Sequence, residues 1–138
     1  MQPLDPDAES LLRQWIEKAE ADLKVARLIA TDAADNLRIR EVLGFHCQQA
    51  AEKYLKALLT RYQIEFPNTH DIKTLLQLVG RANRPVADSL SAARWLTRFS
   101  VEVRYPGDAA EMLPGDDAKA IEIANQVKLV VLATLATG

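Results

Sequence analysis

Between Ile39 and Gln63 the chain runs for about seven helical turns with apolar residues over more than half of the circumference: Cys47, Ala50, Ala51, Tyr54, Leu55, Leu58 and Tyr62. A helix this apolar cannot lie on the outside of a fold. It needs neighbours on several sides, which makes it the central element of a helical protein. Its polar remainder is narrow and consists of His46, Gln49, Glu52, Lys53, Lys56 and Thr60.

The rest of the sequence supplies the neighbours. From Asp7 to Thr31, Leu12, Trp15, Ala19, Leu23, Ala26 and Ala30 recur at steps of three and four, which predicts a long amphipathic helix. After Pro67, a short helix is expected with Thr69 as its N-cap and with Ile72, Leu75, Leu76 and Val79 as its buried stripe. A fourth helix is expected from Ala87 to Phe99 and a last from Asp117 to Ala136. Ser100 to Arg104 alternate as a strand would, but no second strand is available to pair with them, so they read as a helix end or an extended turn. The expected fold is all-α: an up-and-down bundle of about five helices, four long and one short, with residues 1–138 forming a single domain.

Composition then narrows what such a bundle does. Of 138 residues, 49% are hydrophobic and 26% charged, which suffices to fill one core. The net charge of -2 provides no overall basic field, so any nucleic-acid contact must come from a local patch. Cys47 is the single cysteine and His46 and His70 the two histidines, so no disulfide, metal site or cofactor is expected. The apolar run Leu129 to Ala133 is short for a membrane span, and a cytoplasmic location is expected.

His46, Gln49, Lys53 and Lys56 follow one another at steps of three, four and three, which gathers an imidazole, an amide and two ammonium groups on one stripe. The stripe suits a phosphate. It equally suits the solvent-facing side of a bundle helix, with Glu52 and Lys56 an ordinary surface pair. His70 opens a helix, where free backbone N–H groups attract anions, although Thr69 and Asp71 beside it are also simple capping residues. Arg104-Tyr105-Pro106-Gly107 sets a cation and an aromatic ring before a rigid turn, with Arg94 and Arg98 upstream. There is no glycine-rich phosphate loop and no nucleophile elbow, and Cys47 lies on the apolar face, where a thiol is inert. A self-sufficient enzyme is not expected.

Three stretches together resemble the HEPN family: Phe45-His46-Cys47-Gln48-Gln49-Ala50-Ala51-Glu52-Lys53-Tyr54-Leu55-Lys56-Ala57-Leu58-Leu59, then Thr69-His70-Asp71-Ile72, then Arg104-Tyr105-Pro106. Trp15, Ala19, Asp22, Leu23 and Ala26 resemble the family's first helix. The resemblance implies a helical bundle, a homodimer and a nucleotide- or RNA-binding role, often beside a minimal nucleotidyltransferase in a toxin–antitoxin-like pair. Nucleotide or phosphate binding is expected along the stripe near Arg104, with His46, Gln49, Lys53, Lys56, Arg104 and Tyr105 as the candidate residues. Family ribonucleases are metal-independent and pair an arginine with a histidine a few residues later on a late helix. No histidine follows His70 in this chain, so Arg98 and Arg104 lack that partner. Arg40 and His46 repeat the spacing, but at the start of the second helix. The leading expectation is a binding module. The alternatives are an endoribonuclease using Arg104 with a spatially supplied His46 or His70, and a purely structural dimerisation unit.

Overall fold

The computed structural model describes residues 2–32, 36–100 and 112–137. The described residues form five α-helices and one 3-10 helix: α1 (Pro6–Asp32), α2 (Leu37–Arg61), α3 (Ile72–Ala82), α4 (Arg84–Ser89), the 3-10 helix (Ser91–Phe99) and α5 (Asp116–Thr137). The described residues contain no strand. The all-α bundle follows from the apolar patterning. The alternation from Val101 to Arg104 lies outside the described residues.

α2 is the hub, packed against α1, α3, the 3-10 helix and α5. Leu43, Cys47, Ala50, Ala51, Tyr54, Leu55, Leu58 and Leu59 are fully enclosed along its length. Truncating any one of the leucines to alanine would cost about 2–5 kcal/mol, because neighbours on every side prevent the site from collapsing. Asn36 starts the helix by accepting a hydrogen bond from Ile39 N at 3.2 Å.

α1 runs antiparallel to α2, which sets Trp15 beside Lys56 and Asp22 beside His46 and Lys53. α5 is also antiparallel to α1: Lys128 reaches Glu20 at 2.9 Å, and Arg27 reaches Asn125 at 2.6 Å. α5 therefore runs in the same direction as α2. The short elements make this possible by carrying the chain back along α2, from Asn83 beside Tyr62 at its end to Phe99 against Gly44 near its start. By length and composition α5 is able to cross a bilayer, yet here it buries Ala120, Ile123, Ala124, Val127 and Val131 in the bundle. One such helix does not indicate a membrane protein.

Two local expectations are corrected. The cap of α3 is Asp71, whose side chain accepts from Lys73 N at 3.1 Å, while Thr69 Oγ1 accepts from Asp71 N one step earlier. The expected helix from Ala87 to Phe99 is two elements, broken at Leu90. Pro85 and the Asn83 cap begin α4 early, since proline is tolerated in a first turn that has no N–H partner to lose. Beyond Leu90, the buried residues Ala93, Leu96 and Phe99 recur every three positions. A 3-10 helix has three residues per turn and places all of them on one face, whereas an α-helix would rotate them apart.

Gly44 marks a close approach between α2 and the elements packed on it. A methyl group there would lie 2.9 Å from Phe99 Cδ1 and 3.1 Å from Met112 Cε. The absence of a side chain lets the end of the 3-10 helix and the residue leading into α5 meet directly over α2.

Candidate functional site

α2 carries two charged clusters, each built on one carboxylate. The first is centred on Asp22 of α1. Its Oδ1 accepts from His46 Nδ1 at 2.9 Å and its Oδ2 accepts from Lys53 Nζ. His46 and Lys53 are seven residues apart, two turns of α2, so one carboxylate from the facing helix spans both. Their side chains stay 25% and 19% exposed, which leaves both at the surface of the α1–α2 seam. Gln49 lies between them, and its Oε1 is buried with no hydrogen-bond partner among the described residues.

The second cluster is centred on Glu52. Its Oε1 accepts from His70 Nδ1 at 2.8 Å and from Gln48 Nε2 at 3.0 Å, and its Oε2 accepts from Lys56 Nζ at 2.8 Å. The expected surface pair of Glu52 and Lys56 is thus corrected: their side chains are only 4% and 5% exposed. The Lys56 ammonium also lies over the rings of Trp15 and Phe66, at 5.4 and 5.8 Å from their centroids. Those rings meet edge to face at 6.2 Å. A buried ammonium needs both a counter-charge and polarisable neighbours, and here it has them.

Gln48 ties the cluster to the loop before α3 by donating to the His70 carbonyl at 3.0 Å. The His70 imidazole is 40% exposed and is the part of this network that meets solvent. An ionised carboxylate only accepts, so both imidazoles donate through Nδ1 and have Nε2 as their second nitrogen. That arrangement fixes ring orientation and favours one tautomer, as in catalytic and metal-binding histidines. Among the described residues no group of three or more histidines, cysteines and acids is placed to hold a metal.

The stripe of His46, Gln49, Lys53 and Lys56 is therefore divided. His46 and Lys53 pair with Asp22, Gln49 forms no hydrogen bond with it among the described residues, and Lys56 turns inward to Glu52. Arg104 and Tyr105 lie outside the described residues. Cys47 is buried, and that burial pushes its thiol up to about 12, so it is no nucleophile. The sequence reading missed the carboxylates as organisers. Spacing held part of the signal: Gly44, Gln48, Glu52 and Lys56 recur every four residues and form one stripe. The role of Asp22 required knowledge of the register between α1 and α2.

These features define a class: an all-α bundle with two carboxylate-held histidines, His46 on the central helix and His70 in the loop before α3. The family model for the HEPN domain matches residues 12–134, and the chain belongs to the HEPN family. Comparison with curated proteins and with solved structures gave no match. Membership supports a module of nucleotide-binding or ribonuclease type.

Proposed function

We propose that this chain is a nucleotide- or phosphate-binding HEPN module whose ligand meets His70 at the solvent edge of the Glu52 network. The observation that carries the reading is the Glu52 carboxylate, buried at 4% exposure and spent on holding the ring of a half-exposed histidine. Burying a charge costs several kcal/mol unless it is fully paired, so a buried network that ends on one surface imidazole marks that imidazole as the working group. Lys56 acts through Glu52 rather than on the ligand. His46, Gln49 and Lys53 form a second, shallower rim.

Arg104 and Tyr105 belong with His70 in this reading. The described residues that flank their segment, Phe99 and Met112, both lie against Gly44. Gly44 precedes Glu52 by eight residues on the same stripe, about 12 Å along the helix axis. The module works in the cytoplasm as a homodimer, beside a nucleotidyltransferase-like partner in a toxin–antitoxin-like pair.

Titration calorimetry with mononucleotides tests the site. His70→Ala and Glu52→Gln are each expected to weaken binding by about tenfold, equivalent to roughly 1.4 kcal/mol. Unchanged affinity in both variants would remove the site. One observation favours a second reading: Nδ1 donation to the buried Glu52 carboxylate holds the His70 ring in the manner of a histidine that moves protons. A metal-independent endoribonuclease would cleave RNA in EDTA and lose that activity in His70→Ala and Arg104→Ala. An inactive wild type leaves the binding role.

A further inference from the structure

The backbone that carries His70 is held from two elements. On α2, Glu52 accepts from the His70 ring at 2.8 Å, and Gln48 donates to the His70 carbonyl at 3.0 Å. Two residues on, the amide of the fully buried Ile72 donates to Thr97 Oγ1 at 3.2 Å, across 25 residues of sequence. Asp71, the cap of α3, does not serve that amide, because its two oxygens accept from Lys73 N and from the Thr74 hydroxyl. A buried N–H left without a partner is costly, so Thr97 on the 3-10 helix fixes where α3 begins and, one residue back, where His70 stands.

The reach of Thr97 depends on how its own helix is wound. Leu90, Ala93, Leu96 and Phe99 are buried at strict steps of three, and a 3-10 winding seats all four on one side. An α-helix turns about 20° less per residue, so with Leu90 in place Thr97 would be rotated by roughly 140° and the segment shortened by about 4–5 Å. Local propensity favours that other winding. Ala92, Ala93, Arg94, Leu96 and Arg98 are strong α-helix formers, and nine residues exceed the usual length of a 3-10 helix. Against it stand the exposed Arg94 and Arg98, four residues apart, which repel as neighbours in an α-helix but lie about 120° apart around a 3-10 helix. Two windings therefore compete within one short segment.

We propose that Thr97 is a positioning residue for His70, and that the winding of Ser91–Phe99 sets how firmly the imidazole is held. Wound as a 3-10 helix, the segment keeps Thr97 on Ile72 N and the loop on α2. A turn towards α winding withdraws the hydroxyl, frees the start of α3 and lets the ring leave Glu52. A ligand or partner that favours one winding adjusts the site without touching it, by shifting an equilibrium between two states. The proposal rests on the reading that His70 is the working group and adds the regulation of that group.

Nitrogen NMR of the imidazoles in the full chain reads the tautomer of each ring, and His46, held by Asp22 instead, is the internal control. Thr97→Val keeps the shape of the side chain and removes the hydroxyl. It is expected to move the His70 nitrogen shifts towards those of a free imidazole, leave His46 unchanged, and speed exchange of the Ile72 amide by about fivefold. Mononucleotide affinity should fall by a similar factor, and Thr97→Ser should keep each value within about twofold of wild type. Arg94→Glu turns the repelling pair into an attracting one in an α-helix, so it is expected to speed Ile72 exchange by about two- to fivefold and to add nothing in the Thr97→Val background. A lower melting temperature in Thr97→Val with the His70 shifts and the affinity unmoved would mean packing alone and would overturn the proposal. So would a Thr97→Ser chain as impaired as Thr97→Val. Should Thr97→Val not fold, unchanged Ile72 exchange in Arg94→Glu overturns it. Affinity that falls in His70→Ala but not in Thr97→Val removes the positioning role alone, and affinity unmoved in both removes the parent reading as well.

Discussion

Replacing Glu52 by alanine is the most informative single perturbation of the bundle. It removes the acceptor for three hydrogen bonds, from His70 at 2.8 Å, Gln48 at 3.0 Å and Lys56 at 2.8 Å. His70 retains access to water, but Lys56 does not. Its ammonium, in a side chain 5% exposed, would keep only the Trp15 and Phe66 rings. Stranding one member of a buried pair costs about 3–5 kcal/mol. At roughly 3 °C per kcal/mol for a domain of this size, the melting temperature should fall by about 10–15 °C. Lys56→Met should cost less, because Glu52 keeps two of its donors. The double variant Glu52→Leu/Lys56→Met should recover most of the loss, since apolar replacements of a buried pair are often nearly neutral. Urea unfolding followed by circular dichroism, with linear extrapolation, reads all three. A loss below about 1 kcal/mol in Glu52→Ala, or a double variant no more stable than it, would refute the reasoning. Either result would mean a solvated pair of the ordinary kind, worth a few tenths of a kcal/mol.

Gly44→Ala should destabilise the chain by about 1–3 kcal/mol, because the new methyl meets Phe99 at 2.9 Å; a neutral result in urea unfolding would mean that the ring shifts freely. Asp22→Ala should cost only about 1 kcal/mol, since His46 and Lys53 can turn to water, and the loss should shrink as salt is raised. Cys47 should resist alkylation in the native chain at pH 8 and react once the chain is unfolded. Burial raises its thiol from an ordinary 9.0 to about 12, so the stability it contributes is complete below about pH 9 and is lost as pH rises towards 12. Cys47→Ser should flatten part of that alkaline fall. The remainder belongs to Tyr54, whose phenol is also pushed up, first by burial and then by the Glu20 charge.

The bundle was legible in the sequence because three- and four-residue apolar spacing is a local signal and a wide apolar face predicts a central helix. α2 and α5 follow that logic to within two residues at each end. The 3-10 helix was legible in principle: Leu90, Ala93, Leu96 and Phe99 sit at strict steps of three, which a search for α-helical spacing absorbs as partial agreement. The capping of α3 was ambiguous because Thr69 and Asp71 both cap well, and the choice depends on where Ile72 docks against Thr97. The candidate site was legible only as a set of residues. His46, Lys53, Lys56 and His70 were evident, but their roles are set by Asp22 and Glu52. Whether a glutamate on a helix is solvated or buried depends on what packs over it. For Glu52 that is the loop before α3, eighteen residues away from it in sequence at His70.

The position of these groups on α2 also fixes how they are lost. Protein segments open in cooperative units, and those with many enclosed contacts open only with the whole. Gln48, Glu52 and Lys56 lie on the helix that every other packed layer covers except α4, so their backbone amides belong to the slowest-exchanging class of the molecule. His70 enters from a loop with its own cap and its own frequency of opening. The carboxylate that orients the imidazole is therefore as permanent as the fold, while the imidazole can detach and return without the bundle unfolding.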